Sequence, residues 1–279
     1  MNGEGRGALI KKSQREIAAL EKDLEDRIDD IGLIDGILGK LPQGGLTTPA
    51  QDKVLAGQIK ELMRDLANEP SLDPSKVTED SLKASGLPEK VVLQELKLKS
   101  LLDLLLDPKP VDIAHLRAEL DSLMKDLEKA VGREEAEVAI IGDAANKLQD
   151  INLLKDFEDK LPADGLTMPA QNLELKADIE KIMRDLAKDP ELDPQTVNKE
   201  NLREKGLSPS TIDEILLLKD LWDDLAKEKP LDVKDLKAKL EKITNLMAVD
   251  AADRLDDADA MKKDDPLDIQ LRDLDKLEA

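Results

Sequence analysis

A stretch of about one hundred residues occurs twice in this chain at a constant offset of 120 positions. Residues 41–51 read LPQGGLTTPAQ and residues 161–171 read LPADGLTMPAQ; residues 63–74 read MRDLANEPSLDP and residues 183–194 read MRDLAKDPELDP. From Ile31 to Leu127 against Ile151 to Met247, about two positions in five are identical and no gap is needed. A self-match of that length points to one structural unit used twice, and it restricts the fold to what a segment of that size can close upon itself.

The interior of such a unit has few materials. Phe157 and Trp222 are the whole aromatic set, so a core must be filled by Leu, Ile, Val, Met and Ala. That supply favours interlocked helices over a sandwich or barrel of aromatic and β-branched residues. A periodic apolar content of 40% argues against disorder in spite of a formal charge of −21. The expected fold is all-α: two tandem, homologous helical-bundle modules of about 120 residues, each with four longer helices and one short one. Residues 1–12 read as a flexible N-terminal end, 13–131 as the first module and 132–250 as the second. Residues 251–279 read as additional helices, the start of a truncated further unit of a longer protein.

Local signals place the helices. Ser13 with Glu16 forms a capping pattern for a first helix through Ile17, Leu20, Leu24, Ile28 and Ile31. Its counterpart starts near Glu134, with only Gly132 and Arg133 between the modules, a junction that a near-continuous helix or a sharp turn would both satisfy. Pro49 and Pro169 suit the first turn of a second helix, with Thr47 or Thr48 as the cap in one copy and Thr167 in the other. Pro70 and Pro190 stop it, and a short helix closes at Gly86 or Gly206, where a left-handed residue belongs. A leucine-dense third helix opens near Pro88 and at Ser208-Pro209, and a fourth at Asp112 and Asp232. Residues 248–263 read as one more helix and 268–279 as another.

Chemistry-bearing patterns are sparse. Without cysteine there is no thiolate nucleophile and no sulfur-ligated metal. His115, the single histidine, has Asp112 and Glu119 at helical spacing but reads as an exposed helical residue, so no metal, cofactor or catalytic residue is assigned. The acidic stretch at 255–265 lacks the Gly and the terminal Glu of an EF-hand, and the glycines at 3, 5 and 7 have no P-loop context. Three residues stand out as candidate interaction residues. Arg64 and Arg184 interrupt the apolar face of the second helix in both copies; an Arg fork there satisfies loop carbonyls or a carboxylate at the bundle end, or else serves as an interface residue repeated once per module. Trp222 replaces Leu102, where partial exposure would make it an anchor.

These features point away from enzymes and toward a non-enzymatic scaffold for protein–protein interaction, of the kind used by bacterial exported effectors or surface-associated proteins. The acidic balance repels nucleic acid and anionic lipid and favours a protein partner with a basic surface. No stable membrane insertion is expected: the chain reads as soluble, cytoplasmic or exported without a cleavable signal peptide. The alternatives are a stalk or spacer segment and, more remotely, a membrane-active helical protein that opens its leucine faces to lipid.

Overall fold

The structure, a computed structural model, describes residues 3–263 apart from Glu228, with side chains for residues 7–261. Among the described residues it holds nine α-helices and no strand. They are α1 (Gly3–Lys40), α2 (Pro49–Leu66), α3 (Glu79–Ala84), α4 (Glu89–Leu106), α5 (Ile113–Lys160), α6 (Pro169–Ala187), α7 (Lys199–Glu204), α8 (Pro209–Ala226) and α9 (Val233–Lys263), with one 3-10 turn at Pro74–Lys76. The chain forms two compact units. One is built from Ala139–Asp259 together with the beginning of α1 up to Ile17, the other chiefly from Ala18–Val138.

In the unit Ala18–Val138, α2 begins at Pro49 behind Thr48, whose hydroxyl accepts from the Gln51 N–H while the Gln51 side chain accepts from the Thr48 N–H. Its end is a left-handed Asn68 at φ 49°. Leu55, Ile59, Leu62 and Met63 then face inward and meet Leu98, Leu101, Leu102 and Leu105 of α4. Ile34, Ile37 and Leu38 of α1 and Leu116, Leu120, Leu123 and Leu127 of α5 complete the same core. In the unit containing Ala139–Asp259, α6 and α8 pack together in the same way. Leu148, Ile151, Leu154 and Phe157 of α5 and Leu236, Leu240, Ile243 and Met247 of α9 surround them.

A backbone clasp closes each unit at the start of its second helix. The Thr47 N–H donates to the Val111 carbonyl at 2.9 Å, the Val111 N–H donates to the Thr47 hydroxyl at 2.9 Å, and the Ile113 N–H donates to the Gly45 carbonyl at 3.0 Å. Thr167, Leu231, Val233 and Gly165 repeat these bonds at 2.9, 2.9 and 3.0 Å. The strand-like pairing of Leu46 with Asp112, and of Leu166 with Asp232, results. The loop reaches this position through Gly45 and Gly165 at φ 102° and 100°, a region that a Cβ makes costly.

Several expectations need correction. Residues 3–12, expected as a flexible end, are helical, because Leu9 and Ile10 pack against the core of Ala139–Asp259. At Gly132 and Arg133 the continuous helix is the outcome of the two that the sequence left open: α5 runs over 48 residues. One helical Gly costs only about 1 kcal/mol, and the neighbouring Ala130 and Glu134 are buried. Residues 248–263 likewise continue α9 rather than forming another helix, while the helix expected at 268–279 lies outside the described residues. Thr167 makes the clasp and does not cap α6; the cap position belongs to Met168, which has no hydroxyl to offer. On α1, Ile28 faces outward and is 53% exposed, while Arg27 and Asp30 face inward, because 3.6-residue spacing aligns them with Ile34 and Ile37.

Thr47→Val leaves the buried Val111 N–H without an acceptor and is expected to lower stability by about 1–3 kcal/mol. The loss is read as a lower urea midpoint, with Thr47→Ser restoring most of it.

Candidate functional site

The unit containing Ala139–Asp259 encloses a charge network whose members lie on three helices. Lys147 of α5 is 4% exposed, and its ammonium donates to Glu214 Oε2 of α8 at 2.6 Å and to Asp250 of α9. Arg254, one turn beyond Asp250, donates to it through Nε at 2.7 Å. Its remaining nitrogens donate to Asp143 Oδ2 at 3.4 Å and to the Thr211 hydroxyl at 3.3 Å. Helical periodicity explains the grouping: Asp143 and Lys147, like Asp250 and Arg254, are four residues apart and share a face. Burial alone would raise the Asp250 carboxyl, but hydrogen bonds from Arg254, Lys147 and Ser210 outweigh it and hold it at about 2. For Glu214 burial wins, and its carboxyl lies above the ordinary value despite the bond from Lys147.

Beside this network an open cleft of about 820 Å³ runs between α5 and the end of α6, lined by Asn146, Asp150, Asp156, Lys181 and Asp185 among others. A second cleft of about 650 Å³ shares Asn146, Asp150 and Asp185 in its wall and reaches Lys147 and Arg254. Asp150 is pushed up to about 7, first by burial and then by the Asp185 carboxylate. The cations lining the two clefts are largely engaged: Lys188 pairs with Asp143 at 2.9 Å and Lys205 with Asp189 at 2.5 Å.

The unit Ala18–Val138 wires the same positions differently. Arg27, 120 residues before Lys147, pairs with Glu134 at 3.0 Å, and Lys90 joins the same carboxylate at 2.9 Å. Asp30 is pushed up to about 7 by burial and by Asp65, and Glu95 to about 8 by burial and by Asp30. Glu95 is fully buried, and neither of its carboxylate oxygens has a hydrogen-bond partner among the described residues.

Of the residues singled out in the sequence, Arg184 lines the first cleft, while Arg64, Trp222 and His115 lie elsewhere. Arg64 donates through Nε to the Leu72 carbonyl at 3.1 Å, and Arg184 to the Leu192 carbonyl at 3.2 Å, so each ties down the loop behind its helix. Trp222 is only 6% exposed; its indole N–H donates to Glu180 at 2.9 Å and the Lys176 ammonium stands 4.5 Å from the ring centre. His115 is exposed on α5, away from these networks. Among the described residues no three potential metal ligands converge. Sequence reasoning missed the buried carboxyls, although a signal existed: Asp30 is in step with Ile34 and Ile37, and Glu95 with Val91, Leu98 and Leu102.

Comparison with known proteins finds no matching family model, no matching curated protein and no matching solved structure. The arrangement itself is a set of ion pairs that bind helices together, bordered by clefts in which burial and the Asp185 carboxylate push one carboxyl, Asp150, up to about 7.

Lys147→Met strands Glu214 and removes one of the donors to Asp250, and is expected to cost about 3–5 kcal/mol at neutral pH. The loss should be smaller at acid than at neutral pH, because burial raises the Glu214 carboxyl and favours its neutral form. Denaturant unfolding at both pH values checks the magnitude and the sign, and adding Glu214→Leu should recover most of the loss.

Proposed function

We propose that the chain is a non-enzymatic interaction scaffold made of two homologous helical modules, each offering a leucine-tipped loop to a protein partner with a basic surface. One observation carries this reading. Leu46 and Leu166 lie 120 positions apart and are each 64% exposed, yet the loop beneath each is fixed by the same three-bond clasp. A large apolar side chain held rigidly in water gains nothing from that position by itself, and rigid apolar anchors lose little entropy on binding. Met168 and Leu173, 60% and 71% exposed, add apolar surface near the second loop. Two loops in one chain let two moderate contacts act together, which gives duplication a purpose. The formal charge of −21 supports a basic partner.

The repeated clasp and the matching order of long and short helices support homology of the two modules. Export or surface association rests on composition alone and stays with this proposal. No helix among the described residues is long and apolar enough to cross a membrane.

The reading is tested by quantitative affinity capture with the intact chain, Leu46→Asp, Leu166→Asp and the double variant. Each single change should weaken retention of the captured proteins, and the double change should abolish it while helix content by circular dichroism stays constant. Unchanged capture by the double variant would discard the loops as docking elements. The unbroken α5 favours a second reading, a spacer. A spacer predicts rod-like small-angle scattering and no specific capture by the unaltered chain.

A further inference from the structure

In the unit Ala18–Val138, two carboxyl groups on different helices are buried in the interior; Arg27 offsets only part of the burial of Asp30, and neither carboxylate oxygen of Glu95 has a hydrogen-bond partner among the described residues. Asp30 lies on the inner face of α1 at 4% exposure, and Glu95 on the inner face of α4 at 0%. The Asp30 carboxylate is the charged group that acts on Glu95. Around Asp30 stand Arg27, Asp26 and Asp29 on α1 and Asp65 on α2. On α4 the nearby base is Lys90, and on α5 the acid is Glu134, which holds both Lys90 and Arg27 in ion pairs. The charged residues of α3, Glu79, Asp80 and Lys83, lie on the surface. The cations within reach are therefore drawn to Glu134.

The other unit supplies the contrast. At the position 120 residues after Glu95 stands Ile215, also fully buried, and the buried acid there, Glu214, is met by Lys147. An isoleucine thus suits this place in a helix of the same kind, and an acid next to it is tolerated where a base faces it. Glu95 has neither arrangement.

We propose that Asp30 and Glu95 form a proton-operated latch between α1 and α4, closed while the pair keeps a proton and released when both carboxyls ionise. Two like charges in a low-dielectric interior repel strongly, and each must also give up its water, so the doubly ionised pair is the state the packed core cannot hold. A carboxyl that takes up a proton on folding stabilises the fold at acid pH and loses that contribution as pH rises through its folded value. Both carboxyls shift upward, Asp30 to about 7 and Glu95 to about 8. The direction is therefore loosening on the alkaline side of neutrality and tightening on mild acidification, with the two groups titrating as a coupled pair.

The test is amide hydrogen exchange, read by mass spectrometry on the intact chain at about pH 6 and about pH 8.5, with intrinsic exchange rates divided out. Peptides from residues 24–41 and 89–106 should lose protection about tenfold or more across this range. Peptides from 209–226 should lose less, because Lys147 faces Glu214 there and Ile215 holds the Glu95 position; 144–160 carries Asp150, itself raised to about 7, and is not the reference. Glu95→Ile, the residue found at position 215, and Glu95→Gln should each flatten the pH dependence while leaving protection at pH 6 within about threefold of the unaltered chain. A purely structural Glu95 would change protection equally at both pH values. Equal losses in both units of the unaltered chain, or an undiminished loss in a folded Glu95 variant, would overturn the latch. If Glu95→Ile fails to fold, Glu95→Gln and the contrast between units still decide the matter.

Discussion

Aliphatic side chains pack without direction, so a bundle lined by leucines can slide between registers unless polar contacts pin its helices. Here the pins are hydrogen bonds to backbone. The Thr47 and Thr167 clasps fix where the second helix of each unit starts relative to the helix that closes it. Arg117 on α5 donates to the Leu38 and Leu41 carbonyls at 2.8 and 2.9 Å, and so satisfies the end of α1; Lys237 on α9 reaches the Leu161 carbonyl at 3.4 Å. Arg64 and Arg184 do the same for the loops after α2 and α6. The Arg117 and Lys237 bonds satisfy carbonyls at a helix end, the others satisfy loop backbone groups, and each also chooses one register among several that the apolar surfaces would accept.

Buried charge adds a second layer, and there the two units diverge. Glu134 on α5 is an acid served by Arg27 and Lys90; 120 residues later, Arg254 on α9 is a base served by Asp250 and Asp143. The sign at one position is reversed, and the neighbours change with it, Lys90 giving way to Ser210 and Ala130 to Asp250. A buried ion is tolerable only with its partner, so these replacements are coupled. Glu95 falls outside both solutions, which is why the two units should respond differently to protons although their cores are built alike.

The helices were legible wherever local chemistry acts alone. Pro49, Pro169 and Pro209 sit in first turns, Asp112 and Asp232 accept from the N–H two residues on at 2.9 and 2.8 Å, and Gly86 and Gly206 follow the short helices at φ 76° and 74°. Legibility failed where distant packing outweighed a local signal. Gly132 left a turn and a continuous helix equally open, and buried neighbours carry α5 through it. Ser13 suggested a start, but Leu9 and Ile10 find a core to join and extend the helix before it. Among the residues that drew notice as exceptions to the apolar pattern, the two arginines bind loop carbonyls, as the structural reading of an Arg fork expects, and the Trp222 indole N–H donates to Glu180.

The sequence by itself determined helical class, helix order and the loop chemistry, because propensity, capping and left-handed glycines operate within a few residues. Only the tertiary structure decided which polar residues are interior, since a stripe position on a helix says that a side chain meets another helix and not what it finds there. Arg27 finds Glu134, Lys147 finds Glu214 and Asp250, and Glu95 finds Asp30. The energy of a buried charge is set by partners tens of residues away, and for that reason no local pattern records it.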